Sequence, residues 1–338
     1  MSSDAVFLTG ASGFIGGRLA RRLLESGRNV RVLSRRPLPE LERAGAHVIP
    51  GDLDAVSALQ QGCTGAGTVF HVAGRVGVWG PEREFRRVNV AGTQNLLGAA
   101  RAAGVRRFVF TSSPSVVYSG GDLAGVDESV PLCTAAPSPY PITKAAAERL
   151  VLGAHGQDLA AVALRPHLVW GPGDTHIVPR VLDRARRGRL RIVGHGRNRV
   201  DCTHIENVVD AHMLAERALM SPGAPVGGKA YFITNGEPVV LWDWINELLR
   251  GVGLPEVTRR VSRAGASRAG FALETAWRLL RLRGEPPMTR FIASEMATDH
   301  WFDISAARRD LGYVPRVTMA EGTQDLIERL RANPRPQL

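Results

Sequence analysis

Ala5-Val6-Phe7-Leu8-Thr9-Gly10-Ala11-Ser12-Gly13-Phe14-Ile15-Gly16 is the stretch on which the fold turns. Four apolar residues predict a buried strand, and the glycines that follow predict a tight turn into a helix. Ile15, Leu19 and Leu23, with Ala20 and Leu24 beside them, give that helix one apolar stripe. Glycines in such a turn let the backbone approach a pyrophosphate and the helix pack closely on the sheet, while the helix N-terminus faces the anion. Gly10, Ser12, Gly13, Phe14, Ile15 and Gly16 are therefore the expected cradle of a dinucleotide.

Outward from this turn, strand-like and helical segments alternate. Strands are predicted at Val30 to Leu33, around Val48, at Thr68 to His71, at Phe108 to Thr111 and at Ala161 to Leu164. Alternation of this kind implies parallel strands joined by right-handed crossovers, hence an α/β fold with a doubly wound parallel sheet of Rossmann type. From about Trp170 the pattern breaks into turns, a basic helix and isolated strands such as Tyr231 to Ile233. We expect a dinucleotide-binding domain over residues 1–169, to which later segments return, and a smaller C-terminal α/β lobe over 170–338 that binds substrate. A length of 338 residues suits roughly two domains.

Composition narrows the class. Hydrophobic residues make up 44% and charged residues 22%, as in ordinary globular proteins. The net charge of +11 is dispersed, with short clusters at Arg184 to Arg191 and Arg278 to Arg283, and no nucleic-acid motif accompanies it. Cys63, Cys133 and Cys202 are far apart, which argues against structural disulfides and a cysteine metal site, and no metal is expected. With no signal-like start and no membrane-length apolar run, a cytoplasmic protein is expected.

Of the 43 basic residues only Lys144 and Lys229 are lysine, and Lys144 lies four residues after Tyr140. Arginine serves wherever a generic cation suffices, but it does not readily replace a compact ammonium beside a phenol and a ribose hydroxyl. On a helix the spacing puts both side chains on one face. A free tyrosine has a pKa near 10, and a neighbouring ammonium is expected to lower it toward useful acid/base strength. At the end of the second strand, where an NAD site places an acid, the chain has Ser34-Arg35-Arg36. Serine and two arginines are suited to a 2'-phosphate, so NADP(H) is favoured over NAD(H).

Seven elements in order carry a resemblance: Thr9-Gly10-x-x-Gly13-x-x-Gly16, Gly51-Asp52-Leu53, His71-Val72-Ala73-Gly74, Asn89-x-x-Gly92-Thr93, Thr111-Ser112-Ser113, Tyr140-x-x-x-Lys144 and Arg165-Pro166-His167. With them the chain resembles the extended short-chain dehydrogenases/reductases nearly end to end. The resemblance implies that Asp52 and Leu53 lie near the adenine, Ala73 and Gly74 near the nicotinamide-side ribose, and Pro166 to Leu168 near the nicotinamide. It implies catalysis by Tyr140 and Lys144, with Ser113 holding the substrate oxygen, Ser112 being the one-residue alternative. Asn89 is expected to bridge backbones, His71 to be a packed strand residue, and Tyr118 to be a lesser candidate for the acid.

Within that family, Ser112-Ser113 stands where nucleotide-sugar dehydratases carry Asp-Glu. Val200 stands where nucleotide-sugar epimerases carry a diphosphate-gripping arginine, and Arg199 is expected on the opposite face. Arg165 to Asp174, Asp201 to Asn207 and Phe302 to Arg308 look like the 3β-hydroxysteroid dehydrogenase-like branch, which includes sterol dehydrogenases and bacterial reductases of 2-alkyl-3-oxoalkanoic acids in olefin and β-lactone biosynthesis. The resemblance thus implies reduction of a 3-oxo group on a bulky apolar substrate. The alternatives are a sterol dehydrogenase, a nucleotide-sugar enzyme and a non-enzymatic NADP(H)-binding regulator. His176 and Arg180 either meet a substrate carboxylate or simply solvate a helix. Near 264–283, Leu273, Ala276, Trp277 and Leu280 recur at helical spacing, while Glu274, Arg278 and Arg281 lie elsewhere around the helix. A basic amphipathic helix of this kind suits a substrate lid with weak peripheral membrane contact, or an ordinary packed helix. A homodimer, common in the family, is expected.

Overall fold

In the computed structural model, which describes residues 5–221 and 225–332, the alternation becomes a seven-stranded parallel sheet. Its strands are β1 (Ala5–Thr9), β2 (Asn29–Ser34), β3 (His47–Pro50), β4 (Thr68–His71), β5 (Arg107–Thr111), β6 (Ala160–Pro166) and β7 (Ala230–Ile233). They run in the order β7-β6-β5-β4-β1-β2-β3. Chain order reverses between β1 and β4, and open sheets of this kind bind ligands at the carboxyl ends of the strands at such a switch point.

Helices α1 (Phe14–Glu25), α2 (Val56–Cys63), α3 (Gly92–Ala102) and α4 (Pro139–Gly153) alternate with these strands. Beyond β6 come α5 (Ile177–Arg186), α6 (Ile205–Leu219), α7 (Leu241–Gly251), α8 (Arg263–Leu279), α9 (Arg290–Glu295) and α10 (Met319–Ala332). Every residue of β1 is buried, as a parallel strand covered on both faces must be. Val6 and Leu8 join one core with Leu19 and Leu23 of α1 and Val209 of α6. Phe7 points the other way, into a core with Leu59 of α2, Leu96 of α3 and Val151 of α4. The period of two along the strand thus divides one apolar run between two helical layers.

Two segments beyond residue 170 return to the sheet. β7 pairs with β6 in parallel, and α6 lies beside α1. Arg22 of α1 reaches Asp210 at 2.9 Å and Glu206 at 2.6 Å, while Arg28 pairs with the buried Glu216 at 3.0 Å. A third core, with Trp170, Leu182, Trp242, Trp244, Leu248 and Ile327, holds the C-terminal lobe together.

The helix near 264–283 corrects the expected stripe. Leu280 follows the last turn of α8 and is 68% exposed, while Glu274, expected off the packed face, is buried. Leu273, Ala276 and Trp277 are only partly covered. The packed face is set by Ala266, Gly270 and Glu274. A Cβ on Gly270 would lie 2.7 Å from the Thr289 backbone, so α8 meets that segment at backbone distance. Glu274 accepts hydrogen bonds from the Arg290 backbone nitrogen (2.7 Å) and Nε (2.8 Å). Apolar spacing cannot register a contact made by a glycine and a paired carboxylate, so the stripe read from sequence is rotated.

Candidate active site

The glycine turn is obligatory at two positions. Gly10 has φ +84°, and a Cβ there would sit 2.6 Å from the Ala73 nitrogen. On Gly16 a Cβ would collide with the Gly10 carbonyl oxygen. Gly13 begins α1 with extended backbone and no side-chain cap, and the first turn carries no acid. Ser12 and Gly13 are exposed, Phe14 and Ile15 partly so. The lobe overhangs this turn, because Gly173 lies against the Phe14 ring. A turn with glycine at 10, 13 and 16 beneath an uncapped helix N-terminus fits a dinucleotide pyrophosphate.

At the end of β2 the backbone presents Arg35 and Arg36 to solvent, and Arg36 Nη2 donates to the Ser12 carbonyl at 3.3 Å. Ser34 is bonded within its own turn. Its hydroxyl donates to the Arg36 carbonyl (2.6 Å) and accepts from the Arg36 nitrogen (3.2 Å). Ser34 thereby shapes the loop that carries the two arginines. Asp52 also shapes a turn, with Oδ1 accepting from the Asp54 nitrogen at 3.0 Å. Leu53 is buried against Gly92, where a Cβ would come within 2.7 Å of it.

Ser138 caps α4 by accepting from the Tyr140 nitrogen at 3.3 Å, with Pro139 at the helix start. This fixes Tyr140 in the first turn and Lys144 one turn deeper. The Ser113 side chain lies near enough to the Tyr140 hydroxyl to favour its ionised form, and Ser113 Oγ accepts from Ser115 Oγ at 3.0 Å. Ser112, the alternative, is buried with an unpartnered hydroxyl. Lys144 Nζ donates to the Thr111 carbonyl at 2.6 Å and lies 4.0 Å from the Phe110 ring centroid. Gly74 faces it, since a Cβ on that glycine would stand 3.9 Å from Nζ. Asn89, expected to bridge backbones, bonds the backbone of one residue only, accepting from the Arg75 nitrogen (2.7 Å) and donating to the Arg75 carbonyl (3.2 Å), and it also donates to the Thr143 hydroxyl of α4 at 3.1 Å. His71 is a packed strand residue between Thr9 and Thr93, both at 2.8 Å.

The electrostatics differ from the expectation of a lowered tyrosine. Burial pushes the Tyr140 pKa above its ordinary value, only partly offset by Ser113. Burial also pushes Lys144 down to about 7, opposed by Glu148. The ammonium is engaged by the Thr111 carbonyl and the Phe110 ring, so desolvation governs the phenol. Glu148, one turn beyond Lys144, was not singled out in the sequence. It is fully buried and grips Arg165 of β6 through two bonds of 2.6 and 3.1 Å. Its position at i+4 from Lys144 was the available signal.

Pro166 ends β6, and Leu168 just beyond has φ +38°. That is an uncommon conformation for a branched apolar side chain, and such strain collects at functional sites. His167 is buried, its pKa driven well down by burial and by His300. Asp201 Oδ2 accepts from the Phe302 nitrogen at 2.8 Å, and the Thr234 side chain also favours its ionised form. Burial pushes Asp201 up to about 6. Between about pH 4 and 6 the folded state therefore holds a proton that the unfolded chain has released, so stability falls as pH rises through that window. At about 1.4 kcal/mol per unit, the change approaches ~3 kcal/mol. Asp201→Asn should remove it, which urea unfolding of both proteins at pH 4, 5, 6 and 7 checks. Parallel slopes would show that Asp201 ionises normally.

Asp174 caps α5, accepting from the backbone nitrogens of His176 (2.6 Å), Ile177 (3.1 Å) and Val178 (2.8 Å). Arg180 pairs with Glu285 at 3.3 Å. Both candidates for a carboxylate contact thus sit on an exposed helix edge, and Arg180 is already engaged. Val200 is buried, whereas Arg199 is exposed with its guanidinium 5.4 Å from the Trp301 ring centroid. Tyr118 packs on Phe291 of α9 at 5.0 Å between ring centroids.

A doubly wound sheet with its glycine turn at the switch point, and Ser113, Tyr140 and Lys144 gathered at the strand ends, is that of an extended short-chain dehydrogenase/reductase. More particularly, the chain belongs to the 3-beta hydroxysteroid dehydrogenase/isomerase family, which its residues 7–262 match. It is 46% identical to the 2-alkyl-3-oxoalkanoate reductase of Stenotrophomonas maltophilia, over 97% of this chain and 98% of that one. It is 42% identical to the 2-alkyl-3-oxoalkanoate reductase of Shewanella oneidensis, over 97% of this chain and 85% of the other. Among solved structures it is similar to MoeE5 in complex with UDP-glucose and NAD, with a TM-score of 0.75 and 31% identity over 98% of this chain and all of that one. Among the described residues no helix is long and apolar enough to cross a membrane.

Proposed function

We propose that the protein reduces the 3-oxo group of a 2-alkyl-3-oxoalkanoic acid to the 3-hydroxy acid, with NADPH as the reductant. The substrate class rests on one observation: the reductase of that name from S. maltophilia aligns with this chain at 46% identity over nearly its whole length. When bound, the nicotinamide supplies the hydride that adds to the 3-oxo carbon. Gly10 to Gly16 would hold the pyrophosphate, Ala73, Gly74 and Lys144 the ribose beside it, and Pro166 to Leu168 the ring. Tyr140 carries the proton delivered to the carbonyl oxygen. A phenol held above its ordinary pKa keeps that proton at neutral pH, as a donor requires. Ser113 Oγ, beside the Tyr140 hydroxyl, orients the carbonyl oxygen between them and supports the charge that grows on it. Lys144, held under Thr111, places a compact donor against Gly74.

Two features support NADPH over NADH: the lack of an acid at the end of β2, and the exposed pair Arg35 and Arg36, the second anchored over the glycine turn. The lid reading of α8 is supported by its far end. Arg278 stacks over Trp79 at 5.2 Å, and Glu285 accepts from the Val78 nitrogen at 3.3 Å. These contacts fasten the end of the helix and the turn beyond it to the loop that leaves β4 after Ala73 and Gly74.

The test is oxidation of NADPH or NADH by the purified protein with a 2-alkyl-3-oxoalkanoic acid, beside reduction of NADP+ with a 3β-hydroxysterol. The expected result is turnover of the keto acid with NADPH preferred. Turnover of the sterol alone would move the substrate to the steroid class. Because MoeE5 is described with UDP-glucose, protection from heat by that ligand is the third arm. The buried Val200 in place of a diphosphate-binding arginine leads us to expect none.

A further inference from the structure

We propose that the outer face of α8 and the turn after it dock the protein on an anionic lipid surface. Among the described residues eight large apolar side chains are exposed, and four of them fall within this short segment: Phe271 (57%), Leu279 (78%), Leu280 (68%) and Leu282 (43%). Isolated exposed apolar residues need no explanation, but a cluster at the end of one helix does. Arg268, Phe271, Thr275 and Leu279 share the outer face of the helix, and Leu280 to Arg283 continue it past the helix end, all exposed. The backbone at Arg281, with φ +51°, turns the chain there and leaves Leu280 and Leu282 on either side of it.

The charge of the segment selects the partner. Arg268, Arg281 and Arg283 are exposed, whereas of the two acids of residues 263–285 Glu274 is buried and Glu285 half-buried in an ion pair. Glu274 is held by Arg290, and Glu285 by Arg180 and the Val78 nitrogen. Leucines ringed by arginines, with every local carboxylate engaged, match an interface where apolar side chains enter the acyl boundary and guanidiniums meet anionic headgroups. The patch also adjoins the loop after β4 through Arg278 and Trp79, so docking would bring a lipid surface beside the crevice.

Docking does not depend on what the site reduces, and the experiment keeps the two apart. The full chain is sedimented with vesicles of equimolar phosphatidylglycerol and phosphatidylcholine, and with vesicles of phosphatidylcholine alone. We expect binding to the anionic vesicles that weakens as salt rises to about 0.5 M. Leu279→Ser, Leu280→Ser and Leu282→Ser together should lower the partition coefficient at least about tenfold, while leaving the melting temperature near wild type, because all three side chains are exposed. Arg281→Glu with Arg283→Glu should abolish the preference for anionic vesicles. The proposal is overturned if the wild-type protein stays in the supernatant with both vesicles, if it binds both equally, or if the triple variant sediments undiminished. If no vesicle binds and sedimentation velocity shows a dimer that the triple variant splits, the patch is a contact between two copies of this chain.

Discussion

Tyr140→Phe is expected to lower kcat for 3-oxo acid reduction about a hundred- to ten-thousand-fold, the range of a positioned general acid. That corresponds to about 3–5 kcal/mol of transition-state stabilisation. The substitution deletes one oxygen and keeps the ring, so the packing of the first turn of α4 and the Ser138 cap survive. Ser113 Oγ retains its bond from Ser115 at 3.0 Å, which limits the stability cost to about 1 kcal/mol. Binding of NADPH, followed by its fluorescence, should be near wild type, because no contact to the glycine turn changes. The measurement is single-turnover reduction with saturating NADPH. A rate within tenfold of wild type would exclude Tyr140 as the acid and turn attention to Tyr118. A variant that loses turnover but retains every biological effect of the protein would favour a non-enzymatic role.

The nucleotide half of this site was legible because its constraints are local. A strand, a glycine turn and an amphipathic helix occupy adjacent residues, and Gly10 and Gly16 are forced by backbone contacts that no other residue type fits. The Tyr140 to Lys144 spacing is likewise settled within one helical turn. What sequence could not give depends on partners far along the chain. Ser34 has a suitable side chain, and it is bonded to the Arg36 carbonyl within its own turn. Glu274 reads as a surface residue until Arg290 is placed beside it. The expected lowering of the Tyr140 pKa followed from charge alone, whereas the fold adds desolvation, which acts on both members of the pair. The same distinction explains Leu168: its φ of +38° arises where β6 leaves the sheet for the lobe, and nothing in its neighbours' identities announces it.

Lys144→Arg carries the second large effect, and it tests why this arginine-rich chain keeps a lysine here. Lys144 Nζ is buried, with the Thr111 carbonyl at 2.6 Å, the Phe110 ring centroid at 4.0 Å and Gly74 facing it. A planar guanidinium is larger than an ammonium and needs several in-plane partners. Glu148 acts on this ammonium, but both its oxygens are held by Arg165, and the remaining neighbours are one carbonyl, one ring face and one glycine, so the added atoms must either displace Gly74 or pull the side chain toward the crevice. Displacement is overpacking and costs about 1–3 kcal/mol. Withdrawal carries the charge away from the space beside Gly74 in which the ribose is proposed to lie. Either outcome should raise KM for NADPH and lower kcat, with kcat/KM falling about a hundredfold or more. Lys144→Met separates charge from volume, because it keeps the length of the chain, removes the buried charge and relieves the desolvation that drives the lysine down to about 7. Met should therefore melt at or above the wild-type temperature and still be inactive, whereas Arg should melt lower and be inactive. An active Arg variant would mean that a generic cation suffices at this position, and the placement of lysine against Gly74 would lose its chemical reason.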